Sequence, residues 1–235
     1  MEALVVTPVK DSLETTAMTV EAVSKASGDF QYVVFNDFSG RETEKFLENH
    51  REKYNYTLIH LRDHTSTPSP NYNLVLQIAQ KMALEQNVPL ILIESDVVIR
   101  EETIGQLTEL ARKLENPGLI GVITLDREGN YNFPYAHVKK ENSPVGKTSR
   151  SLSFCCTLIT VEFLKKYDFA KLSAKKDWFD IHISRTSHRL NFVNYLVREN
   201  GVLHLPHSSR PWKQLKYTHP LKYYFYKFTH RIDRI

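Results

Sequence analysis

Five short apolar runs mark the first half of the chain: Leu4–Pro8, Phe30–Phe35, Tyr56–Leu61, Pro89–Ile93 and Leu119–Leu125. Runs of this length, bounded by turn residues, read as buried strands. Segments with helical spacing lie between them. Ser12–Ala26 places Leu13, Ala17, Val20, Val23 and Ala26 on one stripe, with Asp11 or Ser12 as its cap. Glu42–Lys53, Tyr72–Gln86 and Glu101–Leu114 follow the same logic, and Arg62–Pro70 is too rich in breakers to be anything but a loop. Strand–helix alternation predicts an α/β fold with a mostly parallel central sheet flanked by helices. Such sheets bind ligands beyond the carboxyl ends of their strands. The polar residues that follow strands one, two and four (Lys10–Asp11, Asn36–Asp37, Glu94–Asp96) therefore converge on one rim.

The second half is less regular. Asp126–Arg150 is polar and turn-rich, and Leu152–Val161 is β-prone. Glu162–Tyr167 reads as a short helix and Asp177–Arg189 as a longer one with Ile181 and Ile183 inward. Phe192–Val197 follows, and Gly201–Leu205 reads as a strand ending at Pro206-His207. The boundary falls near Ser209: residues 1–209 form one domain and 210–235 an extension.

Composition narrows the class. With 235 residues, 41% hydrophobic and 25% charged, the chain is an ordinary globular protein, and its 8 glycines and 10 prolines exclude collagen-like or low-complexity classes. The longest apolar stretch, Val88–Ile93, is too short to span a bilayer. No basic N-terminal region precedes an apolar segment, so no signal peptide is expected. Cys155 and Cys156 are adjacent, which disfavours a disulfide and fits a reducing, cytoplasmic location. The segment after strand one, Thr-Pro-Val-Lys-Asp-Ser, has no glycine, so a dinucleotide site and a P-loop are disfavoured. From Arg210 onward seven Lys/Arg face one acid, Asp233, while the rest of the chain is slightly acidic. That tail interleaves its bases with Trp212, Tyr217, Tyr223, Tyr224, Phe225, Tyr226 and Phe228. A membrane interface suits the pattern, at the inner face of the membrane; packing of the aromatics on the domain explains it equally well. The acidic body argues against nucleic acid as a partner.

Three acidic sites carry candidate chemistry. Glu94-Ser95-Asp96 ends an apolar strand, and paired carboxylates there can hold Mg²⁺ or Mn²⁺; the competing reading is helix capping. Asp37 can accept from a base N–H or a ribose hydroxyl, or close an Asx turn. Asp177 and Asp180 share a helix face, with Trp178 and Phe179 between them to shield a general base. His204 and His207 could each complete a metal shell.

In order, these pieces resemble family 2 glycosyltransferases of the GT-A fold. Thr7-Pro8-Val9-Lys10-Asp11 looks like the family's opening strand and loop, Asn36-Asp37-Phe38-Ser39 its Asp-Asp-x-Ser segment, and Glu94-Ser95-Asp96 its Asp-x-Asp. Asp177-Trp178-Phe179-Asp180, ahead of Arg185, resembles the segment holding the catalytic base, and His207-Ser208-Ser209 the late metal-binding histidine. The resemblance implies a Rossmann-like GT-A domain that transfers a sugar from a nucleotide-diphosphate donor, UDP-linked by preference, to a glycan or lipid-linked acceptor hydroxyl with inversion, as in cell-surface polysaccharide or glycolipid synthesis. It implies Thr7, Pro8, Val9, Asp11, Asp37, Asn73 and Ser95 at the nucleotide-sugar, and Glu94, Asp96 and His207 on Mn²⁺ or Mg²⁺. Asp180 would be the base, with Asp177 the alternative. Glu94 and Asn36 stand where the family has aspartates. They keep open a non-catalytic nucleotide-sugar or glycan-binding module; a nucleotidyltransferase is the third reading.

Overall fold

A computed structural model of the protein describes residues 1–138, 143–173, 178–206 and 220–229. Four parallel strands form one half of a mixed sheet: β1 (Ala3–Val9), β2 (Phe30–Asn36), β3 (Thr57–His60) and β4 (Leu90–Ile93), in the order β3-β2-β1-β4. The sheet continues through β8 (Cys156–Ile159), β6 (Pro117–Leu125), β9 (Val193–His204) and β5 (Val97–Val98). A further strand, β7 (Val145–Thr148), pairs with β9. The strand β8 runs antiparallel to both β4 and β6. Its N-terminal end, and the loop before it, therefore lie at the same rim as the C-terminal end of β4.

The sheet is buried on both faces, which is why its strands read as continuous apolar runs. Along β4, Leu90 and Leu92 face one core while Ile91 and Ile93 face the other. The first core lies under α3 (Tyr72–Gln86), α5 (Val161–Lys166) and α6 (Phe179–Arg189). The second lies under α1 (Leu13–Ser24), α2 (Arg41–His50) and α4 (Thr103–Lys113). One buried amide fastens the first layer: Gln80 donates to the carbonyls of Leu164 (2.9 Å) and Tyr167 (2.6 Å) and accepts from the Phe169 N–H (2.7 Å). A last helix, α7 (Pro220–Thr229), lies in the basic aromatic extension.

The first half follows the sequence reading closely, and the differences have local causes. The buried stripe of α1 is Thr16, Thr19, Val20 and Val23, not Leu13 and Ala17. Neither Ser12 nor Asp11 caps it through a side chain: Ser12 sits in the left-handed region (φ 56°), and Asp11 turns toward Gly40. On α6 the inward face is Ile183, Ser184, Thr186 and Ser187, with Ile181 only half-buried. The turn-rich Asp126–Arg150 segment contains β7. The strand expected at Gly201–Leu205 is the end of a longer one, because β9 runs through an irregular register against β6: Val197 pairs Val122, but Val202 pairs Thr124. The extra residues bulge out at Asn200 (φ 55°) and Gly201. A Cβ on Gly201 would sit 2.7 Å from Ile123 Cγ2.

Gly118 shows how closely α6 packs on β6. A Cβ there would lie 2.1 Å from Ser187 Oγ and 2.7 Å from Phe192 Cβ. Ser187 is itself held, donating to Asn194 Oδ1 at 2.7 Å. Gly118→Ala is therefore expected to lower unfolding free energy by about 1–3 kcal/mol, the usual cost of overpacking. A urea denaturation midpoint unchanged from wild type would contradict this packing.

Candidate functional site

The rim is built from the loops after β1, β2 and β4, and from the segment before β8. After β1, Asp11 (φ 55°) and Ser12 reverse the chain. The Asp11 carboxylate accepts from the Gly40 N–H at 2.6 Å and pairs with Lys10 at 3.1 Å. The Gly40 hydrogen bond, with Lys10 adding to it, holds this carboxyl below its ordinary range. Thr7 is fully buried and accepts from Tyr32 Oη at 3.0 Å; the Val9 carbonyl accepts from the Asp37 N–H at 2.8 Å.

Asn36 is a hub that an aspartate could not replace. Its amide nitrogen donates to Glu44 Oε2 (3.0 Å) and lies 3.0 Å from His60 Nδ1, while its oxygen accepts from the Ser39 N–H (3.0 Å). Burial pushes the Glu44 carboxyl up, but Arg62 and Asn36 outweigh it and the net shift is downward. The departure of this position from the family's aspartate thus has a structural reason within this chain.

Asp37, 6% exposed, accepts from Ser69 Oγ (2.7 Å), the Asn71 N–H (2.8 Å) and Asn71 Nδ2 (2.8 Å). It ties the breaker-rich loop to the end of β2 and sets where α3 begins. A carboxylate has about four acceptor positions, so three protein donors leave one for a ligand. One turn into α3, Asn73 reaches the Leu172 carbonyl (3.5 Å) and accepts from Gln77 (3.2 Å). Beside it Tyr72 stacks on Phe154 and on Phe179, with centroids 6.4 and 6.2 Å away. This aromatic row joins α3, the loop before β8 and the start of α6.

After β4 the chain turns at once. The Glu94 N–H donates to the Cys155 carbonyl (3.1 Å) and the Leu205 N–H donates to the Asp96 carbonyl (2.8 Å), so the acidic turn is fixed from both sides. Pairing of Val97 with His204 brings that imidazole against Asp96, Nε2 to Oδ2 3.4 Å. Asp96 is 3% and His204 8% exposed. Glu94, Cys155 and His204 each offer a ligand atom within 4.8 Å of the others. Cys155 Sγ donates to Glu94 Oε2 at 3.5 Å, and Ser153 Oγ lies 3.3 Å from the sulfur. Burial first, then the charges of Glu94 and Asp96, push the Cys155 thiol well up. Two carboxylates, an imidazole and a sulfur are a donor set that fits a divalent ion. Cys156 is buried in the same core as Cys155, and burial raises it to about 12; both cysteines are free.

Asp180 lies in the first turn of α6, half-buried, and accepts from the Ile181 N–H (2.8 Å). Its charge reaches the buried Tyr135 phenol, which burial mainly, and Asp180 and Cys155 in addition, push upward. Tyr135 Oη accepts from the Ser153 N–H at 2.9 Å, two residues from Cys155. Ser184 on the same helix accepts from the Leu152 N–H at 2.9 Å. Thus α6 is bound to the loop that carries Cys155. A cavity of about 390 Å³ opens on this side, lined by Phe133, Tyr135, His137, Arg150 and Tyr223 among others. It adjoins the acidic turn, since the Phe133 ring lies tilted beside His204 (centroids 6.0 Å apart) and Asn132 donates to the His204 carbonyl (3.1 Å).

The structure brings Glu94, Asp96 and His204 together and puts Asp37 and Asp11 in loops that build the neighbouring rim. Asp177 and His207 lie outside the described residues. Cys155 was legible only as a residue lacking an obvious catalytic partner. The Val97–His204 pairing that completes its surroundings comes from a two-residue strand with no sequence signature.

These features define a nucleotide-sugar-transferase-type α/β domain, the GT-A fold. The chain belongs to glycosyl transferase family 2, whose profile matches residues 4–168. No curated protein sequence matches it significantly. Among solved structures, a crystal structure of S. aureus TarS is similar with a TM-score of 0.62 at 16% identity, over 87% of this chain and 60% of that one. A mannosyltransferase from Pyrobaculum calidifontis, PcManGT, in complex with GDP-Man and Mn²⁺, gives 0.64 at 11% identity, over 97% and 64%. GalNAc-T7 with UDP, GalNAc and Mn²⁺ gives 0.65 at 12%, over 89% and 45%. The chain spans about 60% of the TarS structure's length, and at these identities the likeness is one of fold.

The rim's charge pattern sets a pH dependence. Asp11 and Glu44 titrate below their ordinary values of 3.8 and 4.5, so the stability they contribute is present above those values and is lost as pH falls through the depressed ones. Asn36→Asp places a second carboxyl beside Glu44, where it must titrate high. Melting temperature should drop at pH 7, and the gap to wild type should narrow as the buffer is acidified toward about pH 5. A gap that widens on acidification would contradict the hub described for Asn36.

Proposed function

We propose that this chain transfers a sugar from a nucleotide-diphosphate donor, a UDP-sugar by preference, to an acceptor hydroxyl with inversion. The observation that carries the reading is the acidic turn after β4, with His204 closed onto Asp96 at the rim of a family 2 domain. The relatives with bound UDP-GlcNAc, UDP or GDP-Man support a nucleotide-sugar donor as a class. Glu94, Asp96 and His204 would hold a divalent cation, Mn²⁺ or Mg²⁺ in the family's manner. When bound, it neutralises charge on the diphosphate leaving group.

The chain's own residues supply the rest. The β1 end at Thr7–Val9 and the Asp37 loop flank the donor's nucleoside, with Asp37 offering its remaining acceptor position to a ribose hydroxyl or base N–H. Asp11, Asn73 and Ser95 are the neighbouring contacts of this reading. Asp180 accepts the acceptor hydroxyl's proton. The cavity lined by Phe133, Tyr135 and Tyr223 gives the acceptor aromatic faces, and Arg150 and His137 give it polar partners. His207 and Asp177 remain second candidates for the imidazole and the base.

On α7, Tyr223 turns into the cavity (7% exposed), whereas Leu221, Tyr224 and Phe225 stand 87%, 58% and 71% exposed. No helix among the described residues is long and apolar enough to cross a membrane. We assign the outward face of α7, with the basic residues of its segment, to a peripheral contact with anionic lipid. Residues 1–209 are the transferase domain in this reading, and 210–235 an extension that reaches a lipid-linked acceptor.

Release of free UDP from a panel of UDP-sugars, with acceptor hydroxyls supplied, tests the reaction. Asp180→Asn should lower turnover by about a hundred- to ten-thousandfold and leave donor affinity nearly unchanged, as loss of a general base does. Retained turnover with weakened donor binding would refute the base assignment. Pyrophosphate release from a nucleoside triphosphate would instead identify a nucleotidyltransferase. Co-sedimentation with vesicles containing phosphatidylserine should fall when Tyr224 and Phe225 are both replaced by serine; binding unchanged by the replacement would remove the membrane contact.

A further inference from the structure

The proposed function needs a cation at the acidic turn and does not choose between Mn²⁺ and Mg²⁺. We propose that Cys155 is a direct ligand in this site beside Glu94 and His204, so that it holds transition metals that accept sulfur, Zn²⁺ and Co²⁺ above Mn²⁺, more tightly than Mg²⁺. The proposal rests on the reading of a cation site made above and adds its sulfur donor and its selectivity.

The geometry favours it. A tetrahedral ion with bonds of about 2.3 Å to sulfur and about 2.0 Å to oxygen holds those two donors roughly 3.5 Å apart. Cys155 Sγ and Glu94 Oε2 are 3.5 Å apart. The His204 ligand atom lies within 4.8 Å of both, so closure onto an ion asks for a shift of at most about 1.5 Å, within reach of a side-chain adjustment. The three residues come from three different strand ends, fixed by the backbone bonds of Glu94 to Cys155 and by the Val97–His204 pairing. Cys155 is 1% exposed, so its sulfur faces these groups and not solvent. Asp96, with Oδ2 at 3.4 Å from His204 Nε2, is placed either to ligate as a fourth donor or to orient the imidazole.

The chemistry of the set decides the ion. Mg²⁺ demands octahedral oxygen ligands at about 2.0–2.1 Å and sheds water reluctantly. A sulfur, a nitrogen and a carboxylate oxygen are not the all-oxygen shell it prefers. The same set suits Zn²⁺ and Co²⁺, which accept thiolate and imidazole together. On binding, the Cys155 S–H bond breaks, its proton leaves to buffer, and a sulfur lone pair forms the bond to the ion.

Cobalt reports the ligand directly. The metal-stripped full chain titrated with Co²⁺ should develop a thiolate-to-metal charge-transfer band in the near ultraviolet that saturates at one equivalent. Zn²⁺ should abolish the band and excess Mg²⁺ should leave it intact. Cys155→Ser should lose it, while Cys156→Ser, whose sulfur is not among the clustered ligand atoms, should keep it. X-ray absorption at the cobalt edge of the wild-type protein should show a sulfur scatterer, a readout that does not depend on any variant folding. Calorimetric Co²⁺ binding with no band and no sulfur scatterer would overturn the proposal, since the ion would then sit on carboxylates and imidazole alone. That result would leave the sugar-transfer reading standing. A band from a protein that releases no UDP from any donor would do the reverse.

Discussion

The arrangement of this rim depends on one constraint: two carboxylates, Glu94 and Asp96, are placed at the end of a strand buried on both faces. The turn cannot swing out to relieve their charge. Its backbone is fixed to Cys155 on one side and to Leu205 on the other, and Asp96 is 3% exposed. A buried carboxylate is tolerated when a counter-charge or hydrogen-bond donor offsets its desolvation. His204 answers Asp96 from the last residue of β9. Burial first, and then both acids, push the Cys155 thiol up. A cation is the natural complement of such a pocket.

The architecture around the turn serves this placement. Antiparallel β8, set between β4 and β6, brings the Cys155 loop to the rim, and the long β9 returns to it with His204. The bulge at Asn200–Gly201 lets β9 continue past β6 far enough to do so. On the other side, Ser184 and the Tyr72–Phe154–Phe179 row bind α6 to the same loop. Asp180 is thus on a helix bonded to the loop that carries the sulfur. Asp37 contributes differently: its three loop bonds determine where α3 starts, and so the position of Asn73 and Tyr72. Structural and ligand-facing roles coexist in one carboxylate.

Much of the parallel half was legible in the chain, because a buried strand must be continuously apolar and a helix over it must be striped. Pro89–Ile93 and Tyr72–Gln86 obey both demands, and Glu94–Asp96 follow at the strand end where a ligand is expected. What escaped the sequence was long-range pairing. Val97–Val98 is too short to announce a strand, yet its pairing selects His204 as the imidazole set against Asp96. The stripe of α1 was misjudged because buried threonines, Thr16 and Thr19, fill places expected of Leu13 and Ala17. Asn36 looked like a decayed acid; its bonds to Glu44, His60 and Ser39 show it as the neutral hub its neighbours require. Cys155 carries no motif, and only the fold supplies its companions.

In the proposed reaction the turn after β4 grips a metal-bound diphosphate. Calorimetric titration of the wild-type chain and of Asp96→Asn with UDP, each with and without Mn²⁺, tests this. Mn²⁺ is expected to tighten UDP binding to wild type by at least about tenfold, ~1.4 kcal/mol, and Asp96→Asn to lose this gain while keeping its metal-free affinity. Equal UDP affinity with and without the ion in the wild-type chain would contradict it.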